Sequence, residues 1–418
     1  MRKKSLMYDT DEIANLIKSV RKARKITQKE LGEITDISHQ IISRYEKGIE
    51  IPTQERLQKI IEALEIDLDE YEQTSNEIDE MFSKFKEDHF FRRVNYDELL
   101  HLVKKNNHLY KIHSNYYKVL IILLVYELSQ YHLENAEILI KKISQFSNMD
   151  LESKQMYFHY MGLYYSFIKM SSKGFEYFEK AISLYHDEKE IAMIHYHMCF
   201  TRDYEVVRKY DFEVLDNAMN IFQKYYSYPR IADCLMNYGD FYDYKGNYIK
   251  AIENYKNCLK VIELIHDSKE DVARTIRTMA YVHMKYGKYE EALSELNRAY
   301  QLDSKHHRIH LYYIWCYYKL HDIQEANHWI VKANRLNLNR EMKMILKLFD
   351  MLVLQYEKVP SDSLIQQAVK VYDYFVEKND LDLMIFYLNI VIDLCKAKED
   401  YQQAFFYQEK KLFLIENR

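Results

Sequence analysis

The sequence predicts an all-α protein, in which a small five-helix domain precedes a long array of repeated helix pairs. Only seven Gly and three Pro occur in 418 residues, so few sites exist for tight turns or hairpins. Helix-favouring Leu, Ile, Lys and Glu recur throughout. A 34-residue spacing of alanines appears in the second half of the chain. The length and the 48% hydrophobic content allow more than one domain.

The composition also indicates the cellular compartment of the protein. The longest strongly apolar run, Val119 to Tyr126, is too short to cross a bilayer. The first residues turn acidic and enter no hydrophobic segment, so we expect no signal peptide. The five cysteines are scattered and include no Cys-x-x-Cys motif: Cys199, Cys234, Cys258, Cys316 and Cys395. We therefore expect reduced thiols, a cytoplasmic protein and no membrane partner.

Charge is unevenly distributed along the N-terminal part of the chain. Residues 1–50 hold 11 Lys and Arg against 8 Asp and Glu, whereas residues 51–80 hold 2 against 10. The net charge of the whole chain is only −5. A mildly basic start followed by an acidic segment is compatible with a nucleic-acid partner for the first domain alone.

Two helices are predicted at the start of the chain. The first has an apolar stripe at helical spacing, formed by Ile13, Leu16, Ile17 and Val20. Thr27 and Glu30 then have the spacing of a capping box, in which each side chain binds a free backbone N–H at a helix start. A short second helix from Gln28 to Thr35 follows. We expect its Leu31 and Ile34 to face inward.

A turn and a third helix come next. Asp36 and Ile37 form the turn, Ile37 is its buried residue, and Ser38 caps the helix. Ile42 and Tyr45 are expected to face inward. The outer face then carries His39, Gln40, Ser43 and Arg44.

This stretch resembles the XRE-type helix-turn-helix of the Cro and cI repressors. The residues that match in register are Thr27, Gln28, Leu31, Gly32, Ile37, Ser38, Ile42, Ser43, Tyr45, Glu46 and Gly48. Asp36 stands where the family usually has Gly. Pro52 precedes the family's fourth helix, and Asp67 is expected to cap a fifth. We assign residues 1–71 to this domain, 72–97 to a helical acidic linker and 98–418 to the repeat array.

The resemblance implies binding of a double-stranded DNA operator, with the third helix in the major groove. Gln28, Ser38 and Lys47 would contact the DNA backbone. His39, Gln40, Ser43 and Arg44 would contact bases, Arg44 suiting guanine and Gln40 adenine. Domains of this type bind paired half-sites as dimers, so we expect a homodimer. The alternative is a solvated helix face or a fold used for protein contacts.

Small residues predict tetratricopeptide repeats beyond residue 80. The stretch 237–262 follows that pattern with Gly239, Tyr242, Gly246, Tyr248, Ala251, Tyr255 and Cys258. Ala292 and Ala326 are 34 residues apart, the tetratricopeptide period. All five glycines after the first domain lie at positions where this pattern has small residues. We predict about seven repeats in a right-handed superhelix whose concave face binds an extended peptide.

The first helix of each repeat is expected to line the concave face. The residues predicted to contact a peptide are Asn237, Asp240, Tyr244, Arg274, Arg277, Tyr281 and Trp315. Asn237 offers both a donor and an acceptor to a peptide backbone. Arg274 and Arg277 are one turn apart and could hold a carboxylate between them. The alternative is that these polar residues are simply solvated.

Taken together, the two parts resemble the RRNPP group of peptide-pheromone receptors, which includes the Rgg, NprR, PlcR and PrgX regulators. The stretch Met236 to Tyr248 is similar to the Asn-x-Gly stretch of that group, whose Asn contacts the bound peptide, and this maps to Asn237. The resemblance implies a cytoplasmic homodimeric transcriptional regulator for quorum sensing. A short signalling peptide would bind the array and change DNA binding. No cofactor and no enzymatic activity are expected.

Other functions remain open at this point. The array could bind a protein, such as an antirepressor or a response regulator, with no peptide involved. Some array-only members of the group promote response-regulator dephosphorylation, which here would be a second function beside the first domain. A scaffold with a vestigial first domain is a further alternative. Two clusters, His195/His197/Cys199 and His306/His307/His310, lack clear partners for a four-ligand zinc site, so no metal is expected.

Overall fold

The computed structural model describes residues 10–146, 149–199, 204–265 and 269–416, with the side chains of 11, 12 and 204–211 excepted. All regular secondary structure in these ranges is α-helical. The chain divides into two compact units, Met1–Ile221 and Phe222–Arg418. The all-α class predicted from the sequence is therefore confirmed.

The first unit contains a run of eleven helices in its described ranges. These are α1 (Thr10–Ala23), α2 (Gln28–Thr35), α3 (His39–Glu46), α4 (Gln54–Ala63), α5 (Leu68–Phe90), α6 (Tyr96–Tyr110), α7 (Tyr116–Ser129), α8 (Leu133–Ile143), α9 (Leu151–Phe167), α10 (Ser171–Leu184) and α11 (Glu188–Met198). Helix α12 (Tyr204–Lys224) runs across the division between the units.

The second unit continues with ten helices in its described ranges. These are α13 (Tyr228–Tyr244), α14 (Tyr248–Leu264), α15 (Lys269–Lys285), α16 (Tyr289–Leu302), α17 (His307–Lys319), α18 (Ile323–Ala333), α19 (Arg340–Leu354), α20 (Asp362–Lys378), α21 (Leu381–Ala397) and α22 (Tyr401–Glu416). Successive helices pack most closely as pairs: α13 with α14, α15 with α16, and α17 with α18. This pairing is that of tetratricopeptide repeats.

The helix-turn-helix forms as the sequence predicts. Thr27 and Glu30 make both hydrogen bonds of the capping box at the start of α2. Asp36 ends α2 in the left-handed region at φ 55°, which accounts for the glycine that the family usually has there. The Ser38 side chain accepts a hydrogen bond from the Ile41 N–H at the start of α3. A Cβ on Gly32 would lie 2.5 Å from the Ile37 carbonyl oxygen, so only glycine allows this turn to pack against α2.

One expected core residue of this domain lies outside the core. Leu31, Ile42 and Tyr45 are almost completely buried, but the Ile34 side chain is 60% exposed. The buried residues of α2 are Leu31, Gly32 and Thr35. Successive residues of a helix are rotated by 100° about its axis. Leu31 faces the core, and Thr35 and Ile34 lie on opposite sides of Leu31. Ile34 is therefore turned away from the domain.

Helix α5 joins the helix-turn-helix to the first helices of the array. Asp67 caps it, as predicted, and the 23-residue helix continues without a break past residue 71 to Phe90. Near its start, Tyr71 packs in the core of the helix-turn-helix. Farther along, Phe82 and Phe85 pack in the core formed with α7 to α11. One continuous helix therefore contributes side chains to both cores.

Glycine serves two different purposes in the array. Gly162 and Gly239 lie where helices pack closely, since a Cβ on Gly239 would be 2.3 Å from the Tyr255 ring. Gly246 and Gly287 instead have φ of 75° and 73° in turns, with open space around them. These two glycines are therefore used for backbone conformation.

We searched the described helices for one that could cross a membrane. None of them is both long enough and apolar enough to do so.

Candidate DNA-binding and ligand-binding sites

The outer face of α3 presents polar side chains to solvent. His39, Gln40, Arg44 and Lys47 are exposed, and Ser43 is half-buried. Ser38, also exposed, is engaged in capping α3 through its hydroxyl. Helix α3 and its C-cap therefore place His39, Gln40, Ser43, Arg44 and Lys47 on one accessible surface, which is the arrangement that a helix in the major groove requires.

Arg44 is not free on this surface. Its Nε lies 3.2 Å from Oε2 of Glu50, just beyond the end of α3, and the Arg44 side chain is 57% exposed. Glu50 therefore competes with any base or phosphate for the guanidinium, and it adds a negative charge beside the DNA-facing surface.

A buried network, which the sequence analysis did not identify, fixes the orientation of α3. The Glu46 carboxylate accepts hydrogen bonds from Arg21 Nε at 2.5 Å and from Gln28 Nε2 at 2.8 Å. Hydrogen bonding to Glu46 raises the pKa of Arg21. Arg21 also donates to the Ile26 carbonyl. The network joins α1, α2 and α3, and Gln28, predicted to contact the DNA backbone, is one of its members.

Signals for this network exist in the sequence. Glu46 is one of the residues that match the helix-turn-helix pattern, and it lies next to the inward-facing Tyr45. A carboxylate at that position needs a buried cation as partner. Arg21 is one of five basic residues in and after α1, and periodicity alone does not select it from them.

The predicted ligand-contacting residues of the second unit lie on α13, α15 and α17. Asp240, Tyr281 and Trp315 occupy equivalent positions, each one residue after the small or apolar residue at the helix crossing. The successive spacings are 41 and 34 residues. These three side chains therefore form one row along the first helices of three consecutive repeats.

On α13, Asn237 is half-buried and unsatisfied. Its Nδ2 atom is shielded from solvent and has no hydrogen-bond partner within the described residues. Three residues later, Asp240 accepts a hydrogen bond of 2.7 Å from the hydroxyl of buried Tyr255. Tyr244, one turn further on, is half-buried. Asn237 thus presents an amide that a ligand carbonyl could satisfy, because a buried donor without an acceptor is unfavourable.

The two predicted arginines differ in their environment. Arg274 is already paired, with its Nη2 2.8 Å from Asp271 and 3.9 Å from Asp233. Arg277 is half-buried and makes no ion pair within the described residues, and burial lowers the pKa of its guanidinium. Of the two, Arg277 is therefore the one without an ion-pair partner among the described residues.

Tyr281 and Trp315 are brought together by an aromatic cluster. The Phe386 ring of α21 lies 6.5 Å from the Tyr281 ring and 5.1 Å from the Trp315 ring, centroid to centroid. The Tyr281 hydroxyl and Trp315 Nε1 are buried, and neither has a hydrogen-bond partner among the described residues. Burial raises the pKa of Tyr281 well above its usual value.

Helix α21 closes this part of the inner face. Besides Phe386, its Asp382 lies 3.4 Å from the ammonium group of Lys285 on α15. The remaining cavity beside Tyr281 and Phe386 has a volume of about 30 Å³, enough for a water molecule and far too small for a peptide side chain. A ligand that reached Trp315 would therefore have to displace Phe386.

The sequence analysis did not identify α21 as part of this site. Its contribution depends on contacts between α15 and α21, which are separated by about 100 residues, and no local pattern reports such contacts. One signal was available. Helix α21 buries side chains on most of its circumference, as its sequence LDLMIFYLNIVIDLCKA indicates, and such a helix must be covered on several sides.

Side chains of the first histidine and cysteine cluster noted in the sequence make hydrogen bonds within the described part of the chain. His197 hydrogen-bonds to His159 at 2.7 Å, and His159 to Glu190 at 2.6 Å. The Cys199 thiol contacts the His195 carbonyl oxygen, and burial raises the pKa of this thiol to about 12. Within the described ranges, no group of three or more His, Cys, Asp or Glu side chains is arranged to hold a metal ion.

Family comparisons agree with both parts of the chain. Residues 17–71 match the helix-turn-helix family. Residues 230–305 and 283–346 match the tetratricopeptide repeat family in two overlapping segments. A comparison with curated proteins gave no match.

Several solved structures share the fold. A Rap protein complexed with Competence and Sporulation Factor has a TM-score of 0.65 and 14% identity, over 82% of this chain and 100% of that chain. The apo quorum sensor NprR from B. thuringiensis has a TM-score of 0.60 and 15% identity, over 82% and 99%. NprR in complex with its cognate peptide NprX has a TM-score of 0.52 and 15% identity, over 79% and 99%.

At these identities the likeness is one of fold. It covers about four fifths of this chain and nearly all of each relative. Together with the family matches, it shows that this chain combines a helix-turn-helix with tetratricopeptide repeats and shares the fold of NprR and of the Rap protein.

Proposed function

We propose that this protein is a cytoplasmic, DNA-binding transcriptional regulator whose DNA affinity changes when a short peptide binds to its repeat array. The observation that carries the DNA-binding half is the exposed polar face of α3, held in place by the buried Arg21–Glu46 pair. A helix-turn-helix presented in this way enters the major groove with its third helix.

Arg44 is the residue chosen to test DNA binding. We expect Arg44→Ala to lose sequence-specific affinity, because a bidentate contact to guanine contributes about 1–3 kcal/mol of discrimination. The measurement is fluorescence anisotropy with duplexes from the region upstream of the gene, at fixed salt. Lys18→Ala, an exposed basic residue of α1, is the control for loss of a positive charge. Equal losses in the two variants, or no loss in Arg44→Ala, would contradict base contact by Arg44.

The peptide-binding half rests on unsatisfied groups along the inner helices of the second unit. Asn237 Nδ2, the Tyr281 hydroxyl and Trp315 Nε1 are shielded donors without acceptors in the described ranges. A peptide backbone supplies carbonyl acceptors at regular intervals, and the unpaired Arg277 would suit a ligand carboxylate. NprR, which shares the fold, is known in complex with a cognate peptide, and this supports the same ligand class here.

The coupling between the two sites would be a shift in populations. A peptide changes the arrangement of the DNA-binding domains only by the difference in its affinity for the two arrangements. Helix α5 is the element best suited to transmit the change within the first unit, because it contributes Tyr71 to one core and Phe82 and Phe85 to the next.

A protein partner for the array is the second candidate. The fold is shared with a Rap protein, and arrays of this kind bind proteins as well as peptides. A peptide ligand and a protein partner differ in which side chains of the array must move to admit them. To reach the donors of Tyr281 and Trp315, a short peptide has to displace Phe386, whereas a protein partner can bind surfaces that are already exposed. Peptide titration of the Asn237→Ala variant therefore separates them.

A further inference from the structure

Three consecutive residues of α5 favour a helix less than their neighbours do. Thr74, Ser75 and Asn76 carry short polar side chains that compete for the hydrogen bonds of the helix backbone. Their helix propensities are lower than those of the Glu and Gln residues on either side. Thr74 is buried, Ser75 is half-buried and Asn76 is exposed. Residues 74–76 are therefore a weak segment within an otherwise continuous helix.

This segment lies between two anchors of the helix. On its N-terminal side, Tyr71 packs in the core of the helix-turn-helix. On its C-terminal side, Ile78 packs in a separate core with Val103 and Tyr110 of α6 and Val119 of α7. The backbone between these two anchors therefore determines the direction of the helix-turn-helix relative to α6 and α7.

The loop between α6 and α7, residues 111–115, contacts the helix-turn-helix beside this segment. Ile112 is half-buried and packs against the core of that domain. The ring of His113 stacks on the ring of Tyr71, with 4.0 Å between the centroids and 16° between the planes. The array thus contacts the first domain through this loop as well as through α5.

The same loop is hydrogen-bonded to the segment itself. Asn115 Nδ2 lies 3.1 Å from the Ser75 carbonyl oxygen, 3.2 Å from the Ser75 hydroxyl and 3.1 Å from Asp79 Oδ1. Its two hydrogens are shared among these three acceptors. Lys118 of α7 lies 2.8 Å from the same Asp79 oxygen and 3.2 Å from Asp150 Oδ2, at the start of α9. Side chains of α7 and α9 are therefore linked to α5 within one turn of the weak segment.

We propose that residues 74–76 are a hinge in α5 and that residues 111–115 hold this hinge straight. While the loop is in contact, α5 is one helix and the helix-turn-helix has one direction. When the contact is lost, the segment opens first, because its residues stabilise the helix less than their neighbours do. The domain then rotates about it, since a hinge is a few residues that absorb the change in backbone angles.

The hinge specifies where the proposed regulation acts. Movement of α7 or α9 reaches the DNA-binding domain through the loop, because Lys118 and Asn115 both bind Asp79 of α5. That role rests on the proposed function. The weak segment, its two anchors and the loop contacts belong to the first unit, and testing them requires neither DNA nor peptide.

Hydrogen exchange of the full chain, measured by mass spectrometry without DNA or peptide, is the first test. Asn115→Ala removes the hydrogen bonds between the loop and α5. We expect the backbone amides of residues 74–80 to exchange about tenfold faster or more, because fewer hydrogen bonds then oppose opening. Asn115→Asp keeps the shape of the side chain and places an acceptor beside Asp79, so it should have the same effect. Asn107→Ala is the matched control, since it removes a 3.3 Å hydrogen bond to Tyr116 between α6 and α7.

A rescue variant separates a hinge from a general loosening of the fold. Ser75→Ala combined with Asn76→Ala places the best helix former at two positions of the segment. Added to Asn115→Ala, these two alanines should bring the exchange rates back to within about threefold of the wild type. The control Asn107→Ala should exchange as the wild type does.

Rotation of the domain is measured by time-resolved fluorescence anisotropy. A dye attached to Lys29→Cys, at an exposed position of α2, reports the motion of the helix-turn-helix. The native cysteines are buried or half-buried, so the introduced thiol reacts first. Beyond the local motion of the dye, we expect one slow decay when Asn115 is present and an added fast component in Asn115→Ala. The fast component should disappear in the rescue variant.

Each of these measurements can contradict the hinge. Unchanged exchange in Asn115→Ala, equal acceleration in Asn107→Ala, or alanines that fail to restore slow exchange would overturn the proposal. Faster exchange without the fast anisotropy component would mean local opening without rotation, and would overturn it as well. Because no DNA or peptide is present, these outcomes are distinct from a failure of the proposed function.

Discussion

Among the residues predicted to contact DNA, Arg44 is the one best suited to binding a base, and its side chain is paired with the Glu50 carboxylate. The Arg44–Glu50 contact of 3.2 Å is exposed, so its net contribution to stability is small. Its effect on DNA is larger, because the carboxylate must release Arg44 and also lies close to where phosphates would pass. We therefore expect Glu50 to lower the affinity for DNA and to leave the fold unaffected.

We expect Glu50→Gln to raise affinity for specific and non-specific DNA by about three- to tenfold, equivalent to roughly 0.7–1.4 kcal/mol. Anisotropy titrations with both kinds of duplex measure this. Glu55→Gln on α4, which removes an exposed carboxylate paired with Lys59, is the matched control. If Glu50→Gln raised the affinity for DNA no more than Glu55→Gln does, the Arg44 side chain would not be held by Glu50 in solution.

Among the single elements, α5 contacts the start of the array partly through an aromatic stack. The rings of Tyr71 and His113 lie 4.0 Å apart, and the His113 side chain is buried. Burial lowers the pKa of His113 from 6.5 to about 4. The folded protein therefore keeps this imidazole neutral at a pH where the unfolded chain has already bound a proton.

This difference makes stability depend on pH. The unfolded state binds the extra proton below about pH 6.5 and the folded state only below about pH 4, so the free energy of unfolding should fall between these values as pH is lowered. His113→Phe keeps an aromatic ring against Tyr71 and removes the titration. Thermal melts at pH 7.5 and pH 5 should show a smaller loss for this variant than for the wild type. His101→Phe, at an exposed position, is the control. Equal losses of melting temperature between pH 7.5 and pH 5 in the wild type, His113→Phe and His101→Phe would exclude His113 as the cause.

Helix α21 is the element that determines access to the inner face of the second unit. Trp315 is 7% exposed and lies beneath Phe386. We expect Phe386→Ala to increase acrylamide quenching of Trp315 fluorescence several-fold. The measurement uses a Trp329→Phe background, in which Trp315 is the single emitter among the two tryptophans of the chain.

Leu296→Ala on α16 provides the control for this experiment, since it removes core volume without touching Phe386. Both substitutions should lower the free energy of unfolding by about 2–5 kcal/mol, as expected for large-to-small changes in a core. Only Phe386→Ala should expose Trp315. Unchanged quenching in that variant would mean that other side chains shield the indole.

The elements also show what a sequence reports and what it does not. The capping box at Thr27, the turn at Asp36 and the caps at Ser38 and Asp67 were predicted, because each depends on neighbours within about four residues. Ile34 was misplaced because a helix of eight residues contains too few apolar positions to define its inner face. The position of α21 over the inner face of the second unit was not predicted, because it depends on contacts between residues about 100 positions apart in the sequence.

In the whole molecule, the proposed regulator has one surface for input and one for output. The output is the α3 surface in the first unit, and the input is the row of buried donors on α13, α15 and α17 in the second. The second unit retains donors that have no acceptor among the described residues. Such groups are destabilising unless a partner completes them, so their persistence at these positions favours binding over a purely structural role.

Peptide binding is the central claim, and titration calorimetry of the full chain tests it most directly. The ligands are synthetic peptides of roughly five to ten residues, taken from the C-terminus of a secreted reading frame encoded beside this gene. The account predicts about one peptide bound per chain with a dissociation constant of about 1 μM or lower, and weakening by tenfold or more in Asn237→Ala. The melting temperature of that variant should be unchanged. Absence of heat with every peptide would contradict the claim and leave a DNA-binding protein whose array recognises another protein.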